Sequence, residues 1–367
     1  MGFVERLRDL PVAPGGTRRS MALGVGDAMV TGLFALSGAI RKPVTPVAVE
    51  RSIDLVVAAR EVVAHDQDVI ALTLAAPDGS ALPRWFPGAH IDVHLPSGRI
   101  RQYSLCGDPA DAGAYRIAVR RIPTGGGGSI EVHDEAAVGT RLFTGGPRNA
   151  FPLAMPGLGS PTRRFRFIAG GIGITPILPM LAAAERYGVD WSMVYAGRSV
   201  DTLPFVDELA RFGNRIDIRT DDAHGLPSAA DLLGECPDGT TVYACGPAPM
   251  LTGIRAALVG RDDVELHFER FAAPPVVDGA AFTVSIASTG ETIAVAADET
   301  LLTAINRAGV HAPYSCQQGF CGTCRTVVRS GAVDHRDTLL TDPERDAGTM
   351  LICVSRAHGD DPLILEL

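Results

Sequence analysis

The chain has 367 residues, 46% of them hydrophobic and 20% charged, enough to bury more than one core, so two or three soluble globular domains are expected. A formal net charge of −9 and a pI near 5.5 argue against a nucleic-acid partner, whose phosphates need a basic stripe that does not appear here. Seven cysteines, an odd number with no secretory signal ahead of them, argue against a disulfide framework and for a cytoplasmic protein.

Residues 1–50 read as an extension of unassigned role. Up to residue 42 it carries six basic side chains (Arg6, Arg8, Arg18, Arg19, Arg41, Lys42) against three acidic ones (Glu5, Asp9, Asp27). The apolar stretch 21–40 is interrupted by Gly24, Gly26, Asp27, Gly32 and Gly38, which disfavours a membrane-spanning helix. Packing on protein is the first expectation, and contact with a membrane surface ranks behind it.

Residues 51–157 show short β segments between turn signals: Asp78-Gly79, Pro87-Gly88, Ser97-Gly98 and the glycine run 125–128. Ile91, Val93 and Leu95 alternate as on a half-buried strand, so an antiparallel barrel is expected. From 160 to 271 strands alternate with helices, the strands near 165–169, 193–196, 216–219, 241–245 and 264–268 and the helices near 177–187 and 250–258. That rhythm predicts an α/β unit with a parallel sheet covered on both faces. A Pro/Gly linker at 272–281 leads to an α+β unit at 282–367, where Phe282, Val284 and Ile286 alternate along a strand. A helix presenting Leu301, Leu302 and Ile305 follows, capped near Asp298 and ended by Gly309.

The last unit carries the sharpest chemical signal. Cys316, Cys321, Cys324 and Cys353 have four, two and twenty-eight residues between successive members, the ligand spacing of a plant-type [2Fe–2S] cluster. A zinc site would pair two short clips, and only Cys321 and Cys324 form one. Gly319, Gly322 and their neighbours make a small-residue loop whose N–H groups can turn toward sulfur.

Upstream, Arg101-Gln102-Tyr103-Ser104-Leu105 ends a barrel strand and offers an arginine for a phosphate, a tyrosine for a ring system and a hydroxyl for a reactive nitrogen. A plain surface β segment explains these residues as well. Gly127-Gly128-Ser129 suits phosphate binding at a helix start, although glycine runs are often simple turns. Gly170-Gly171-Ile172-Gly173-Ile174-Thr175-Pro176 lies between a strand and a helix, the setting in which a glycine turn meets a dinucleotide pyrophosphate. Ala244-Cys245-Gly246-Pro247 ends another strand of the same sheet, and Cys245 would sit beside a nicotinamide there.

These motifs, in this order, together with GPRNAFPL, HFERF, DHRD and CVSRA, resemble phthalate dioxygenase reductase and its vanillate demethylase reductase relatives over about six-sevenths of the chain. The resemblance implies a multidomain protein with a flavin barrel, a Rossmann-like nucleotide domain and a β-grasp plant-type ferredoxin domain. It implies that Arg101, Tyr103, Ser104 and Leu105 hold FMN, with Gly128 and Ser129 on its phosphate. Gly171, Gly173 and Thr175 would shape the NADH turn, Cys245 and Gly246 would border the nicotinamide, and Phe271 would lie near the flavin ring; Ser104, Cys245 and Phe271 thereby face the reacting centre. Asp221 suits a ribose hydroxyl and favours NADH, whereas Arg198 could accept a 2′-phosphate. Two departures stand out: Gly126 occupies the place of an arginine that neutralises the flavin phosphate, and the extension has no counterpart.

NADH gives up a hydride, two electrons together, while a [2Fe–2S] cluster takes one, so a flavin must stand between them. The implied role is an NADH-dependent oxidoreductase whose electrons pass through FMN and the cluster to the terminal oxygenase component of a Rieske-type system. A cytochrome P450 is the alternative acceptor, and a redox-sensing binding protein the alternative of another class. From Ala280 onward eleven acidic residues face six basic ones, a net of −5, so a basic docking patch is expected on the partner.

Overall fold

A computed structural model describes residues 52–123, 127–156, 162–271, 276–314, 316–359 and 362–367. The expectations for the extension at 1–50, for Gly126 and for part of the linker fall outside these residues. Among the described residues, no helix is long and apolar enough to cross a membrane.

The first sheet is antiparallel throughout. It comprises β1 (Ile53–Val62), β2 (Val69–Ala75), β3 (Ala89–His94), β4 (Ile100–Ser104), β5 (Ala114–Arg120), β6 (Arg141–Thr144) and β7 (Arg148–Asn149), in the order β4-β3-β6-β1-β2-β5 with β7 on β3. A bridge from Leu105 to Ile117 joins its two ends, which closes the barrel and removes the free edges. In β3, Ile91 and Val93 turn into the core while His94 faces out, the period of two that the alternation predicts. Gly98 takes a φ of 82° in the β3–β4 turn, a conformation that costs glycine little. The glycine run opens α1 (Gly128–Glu135), which plugs the barrel beside β5 through Val132.

The second sheet is wholly parallel: β8 (Arg164–Gly170), β9 (Asp190–Gly197), β10 (Ile216–Thr220), β11 (Thr240–Cys245) and β12 (Glu265–Glu269), in the order β10-β9-β8-β11-β12. Both faces are covered, as a parallel sheet requires. Phe165, Phe167 and Tyr243 point into one core and Ile168, Val242 and Ala244 into the other. The first core also contains Cys106, Ala118 and Phe151 of the barrel, so the two sheets share a buried seam. Strand order reverses between β8 and β11, and α2 (Leu178–Arg186) and α3 (Ala248–Ala257) follow these two strands. Their carboxyl ends therefore form the crevice where ligands of open α/β sheets collect.

The third unit is a mixed sheet: β13 (Phe282–Ile286), β14 (Thr292–Val295), β15 (Arg325–Ser330), β17 (Thr349–Leu351) and β19 (Leu363–Glu366), in the order β14-β13-β19-β15-β17, with a small β16 (Val333–Asp334) and β18 (Arg356–Ala357) pair. β13 and β19 run parallel between antiparallel neighbours, and α4 (Leu301–Arg307) buries Leu301, Leu302, Ala304 and Ile305 against them. This is the β-grasp arrangement. The helix cap expected near Asp298 falls instead at Thr300, whose hydroxyl accepts the Thr303 N–H at 3.1 Å. A turn donated by Glu299 N–H to Ala296 O takes up Asp298 before the helix can start.

Candidate functional site

All three units wall one cleft of about 280 Å³. The barrel contributes Arg101, Gln102, Tyr103 and Ser104 of β4, and Gly128 and Ser129 at the start of α1. Leu105 turns away into the barrel core and is fully buried. The parallel sheet contributes Ile172 and Thr175 from the glycine turn and Glu269, Arg270 and Phe271 from the end of β12; the cluster loop contributes Cys316, Gln317, Gln318 and Phe320. Phe271 is 46% exposed at the mouth.

At one end the cleft has the features of a phosphate site. A Cβ built on Gly128 would lie 2.6 Å from Arg101 Nε, so only glycine lets the guanidinium lie across the N-terminus of α1. Backbone N–H groups at a helix start favour an anion there, and the arginine adds charge. Arg99 lies beside Gly127 and pairs with Glu131 at 3.2 Å, which offsets the acid in the first turn of α1. Three arginines near Gly127 and Gly128 differ in what they can offer a phosphate. Arg120 lines the cleft and donates to the Thr202 carbonyl, Arg121 is paired with Asp134 at 2.7 Å, and Arg99, just before β4, is not among the residues that line the cleft.

On the nucleotide side the two motifs are packed backbone against backbone. A Cβ on Gly173 would come within 2.2 Å of the Cys245 carbonyl oxygen, and one on Gly170 within 2.6 Å of Pro247 Cδ. Gly171 has a φ of 54° in a single 3-10 turn, Gly171–Ile174. Gly171, Gly173, Cys245 and Gly246 therefore shape the floor of the crevice but do not line the cleft, while Thr175 does. Cys245 is completely buried, and burial pushes its thiol well above the usual range. Arg198 and Asp221 follow β9 and β10 at the far edge of the same sheet, joined by an Asp222 N–H to Arg198 O bond of 3.1 Å.

Two polar side chains in the cleft, Glu269 and His90, lie outside the residues expected from the sequence. Glu269 pairs in register with Cys245, and its Oε2 is buried without a hydrogen-bond partner. Burial pushes its carboxyl up to about 8, against a hydrogen bond from Ser104, which favours its protonated form. His90, 4% exposed, meets Phe320 edge-on at 6.3 Å between centroids and leaves Nδ1 unpartnered. Burial, then the charge of Arg148, lowers its imidazole to about 4. Orphaned polar atoms in a cleft are what a polar cofactor would satisfy.

The Glu269 shift has a measurable sign. Its folded pKa of about 8 lies above the ordinary carboxyl value, so the folded chain holds a proton that the unfolded chain releases, and stability falls as pH rises from about 4.5 toward 8. In flavin-depleted protein, the wild type is expected to lose about 2–3 kcal/mol more than Glu269→Gln between pH 5.5 and pH 8. Denaturant melts at the two pH values measure this, and parallel profiles would refute it.

The four cysteine sulfurs fall into two hydrogen-bonded pairs, Cys316 with Cys321 and Cys324 with Cys353. The Gln318 N–H donates to Cys316 Sγ at 3.3 Å, and the Thr323 N–H bonds Cys321, so backbone dipoles point at the sulfurs as a negatively charged cluster needs. Left-handed backbone at Gln317, Gly319 and Gly322 curls the loop to that end.

Two family models match the chain: an oxidoreductase FAD-binding domain over residues 54–152 and a 2Fe-2S iron-sulfur cluster binding domain over 284–358. The chain is 43% identical to a phenoxybenzoate dioxygenase subunit beta of Ectopseudomonas oleovorans, covering 78% of this chain and 90% of the relative. It is 41% identical to a vanillate O-demethylase oxidoreductase of Pseudomonas sp. (strain HR199 / DSM 7063), covering 83% and 97%. Among solved structures, phthalate dioxygenase reductase superposes with a TM-score of 0.64 at 32% identity over 86% of this chain and 98% of that one. An intact type IV self-sufficient cytochrome P450 monooxygenase gives 0.63 at 38% identity over 90% of this chain, which spans only 43% of that longer protein.

Proposed function

The chain belongs to the phthalate dioxygenase reductase and vanillate O-demethylase reductase family, and from that membership we propose that it is an NADH-dependent electron-transfer reductase for the terminal oxygenase component of a Rieske-type system. The observation that supports this best is the single cleft in which β4, the glycine turn and the cluster loop meet. A flavin held in this cleft would supply the conversion of a two-electron hydride into single electrons, and a [2Fe–2S] cluster held by Cys316, Cys321, Cys324 and Cys353 would supply one-electron delivery to the oxygenase.

The protein's own residues bind, orient and shield. Arg101 and the N-terminus of α1, with Gly128 and Ser129, would hold the flavin phosphate; Tyr103, whose phenol burial keeps protonated, and Ser104 would hold its ring system. Phe271 covers the ring at the mouth. Gly171, Gly173 and Thr175 seat the NADH pyrophosphate, Cys245 and Gly246 back the nicotinamide, and Asp221 takes a ribose hydroxyl beside Arg198. Cys316, Cys321, Cys324 and Cys353 bind the cluster next to the flavin cleft. We place the flavin unit at 51–157, the nucleotide unit at 160–271 and the ferredoxin unit at 282–367, and the protein in the cytoplasm, where thiolate ligands stay reduced.

A P450 acceptor is the second reading, favoured by the match to a P450 chain over 90% of this one. Stopped-flow mixing with NADH tests the core proposal: flavin absorbance should bleach first and cluster absorbance second. A chain that bleaches neither is not this reductase. Turnover with Rieske oxygenases and with P450s, side by side, separates the acceptors.

A further inference from the structure

We propose that Tyr314, in the segment entering the cluster loop, is a positioning residue for the flavin phosphate. Its side chain holds Arg101 over the start of α1, so FMN retention depends on the iron–sulfur unit docked against the barrel. This rests on the flavin reading above and extends it to a residue of another unit, 213 positions away in sequence.

Arg101 is fixed from several sides. Its Nη2 donates to Tyr314 Oη at 3.2 Å, its guanidinium lies 5.1 Å from the centroid of the Tyr314 ring, and its Nη1 donates to Ile100 O at 2.9 Å. Its stem runs along Gly128, where a Cβ would sit 2.7 Å from Arg101 Cγ. Tyr314 is itself held, half-buried against the iron–sulfur core. A long arginine loses rotamer freedom when it clamps an anion, and contacts that fix its plane beforehand remove part of that loss. The aromatic ring and the hydroxyl that meet the guanidinium come from Tyr314 of the iron–sulfur unit.

The phosphate separates this role from a merely structural one, because riboflavin presents the same ring system without it. Full-length protein with its cluster intact would be depleted of flavin and titrated with FMN and with riboflavin, following the quenching of flavin fluorescence. Tyr314→Phe, which keeps the ring and removes the hydroxyl, is expected to weaken FMN binding about 3–10-fold. Tyr314→Ala should weaken it about 10–30-fold, since the cation–π contact goes as well. Riboflavin affinity should change less than about twofold in both, and Tyr314→Ala should add little on an Arg101→Ala background. Visible circular dichroism of the cluster controls for folding. Equal losses for FMN and riboflavin, or no loss for FMN, would overturn the proposal while leaving the flavin reading intact. Wild-type protein that takes up no FMN would overturn both.

Discussion

A Cys353→Ala variant is expected to lose the visible and paramagnetic signature of the cluster and to pass electrons to an acceptor protein more than about 100-fold more slowly, beyond the effect of removing a supporting group at a metal site. NADH oxidation by ferricyanide, which needs only the flavin, should stay within about twofold of wild type. Strand register sets where this sulfur lies. Cys353 follows β17, which pairs with β15 so that Leu351 faces Arg325, and the Ile352 N–H reaches the Cys324 carbonyl at 3.4 Å. That pairing brings a sulfur from beyond twenty-eight intervening residues beside Cys324. Without it one iron of the pair keeps a single thiolate, and because ligand binding and local folding are coupled, the loop 316–324 should also open to proteolysis. A variant that kept the reduced-cluster signal would dissociate Cys353 from the ligand set.

Much of this was legible in the chain because it is local. The two cysteine pairs proposed as cluster ligands stand out by spacing, β8 and β11 by apolar runs ended by glycine, and β3 by a period of two. The cap at Thr300 was misplaced by two residues because Asp298 and Thr300 are both good capping side chains, and the choice was made by a turn at Ala296. The features that join the units were not legible. Tyr314 looks like an ordinary residue before a cysteine, and His90 like the polar half of an alternating strand; only the fold sets one on Arg101 and the other against Phe320. Glu269 lay inside a recognised string, HFERF, but its protonation depends on burial between β11 and the cleft, which no spacing encodes.

Gly173→Ala is the second large effect expected, and it separates the shape of the nucleotide turn from its conformation. Its φ is not in the left-handed region, unlike that of Gly171 at 54°, so an alanine meets no torsional objection. The obstacle is space: the new Cβ would lie 2.2 Å from the Cys245 carbonyl oxygen and 2.6 Å from its carbonyl carbon. Both atoms belong to the end of β11, a fully buried strand hydrogen-bonded on both sides, so the turn must move rather than its neighbour. A displacement on the order of 1 Å is enough to cost about 100-fold in a reaction that depends on apposed rings. The rate of flavin bleaching by NADH should fall by that order, with about 1–3 kcal/mol of stability lost to overpacking. Gly188→Ala provides the contrast. That residue ends α2 at a φ of 65° with nothing within 4 Å of a Cβ, so alanine there should cost about 1 kcal/mol of conformational strain and leave the bleaching rate unchanged. If Gly173→Ala bleached as fast as Gly188→Ala, the close approach of the two turns would be a matter of packing alone, and the nucleotide would have to be seated by other residues of the crevice.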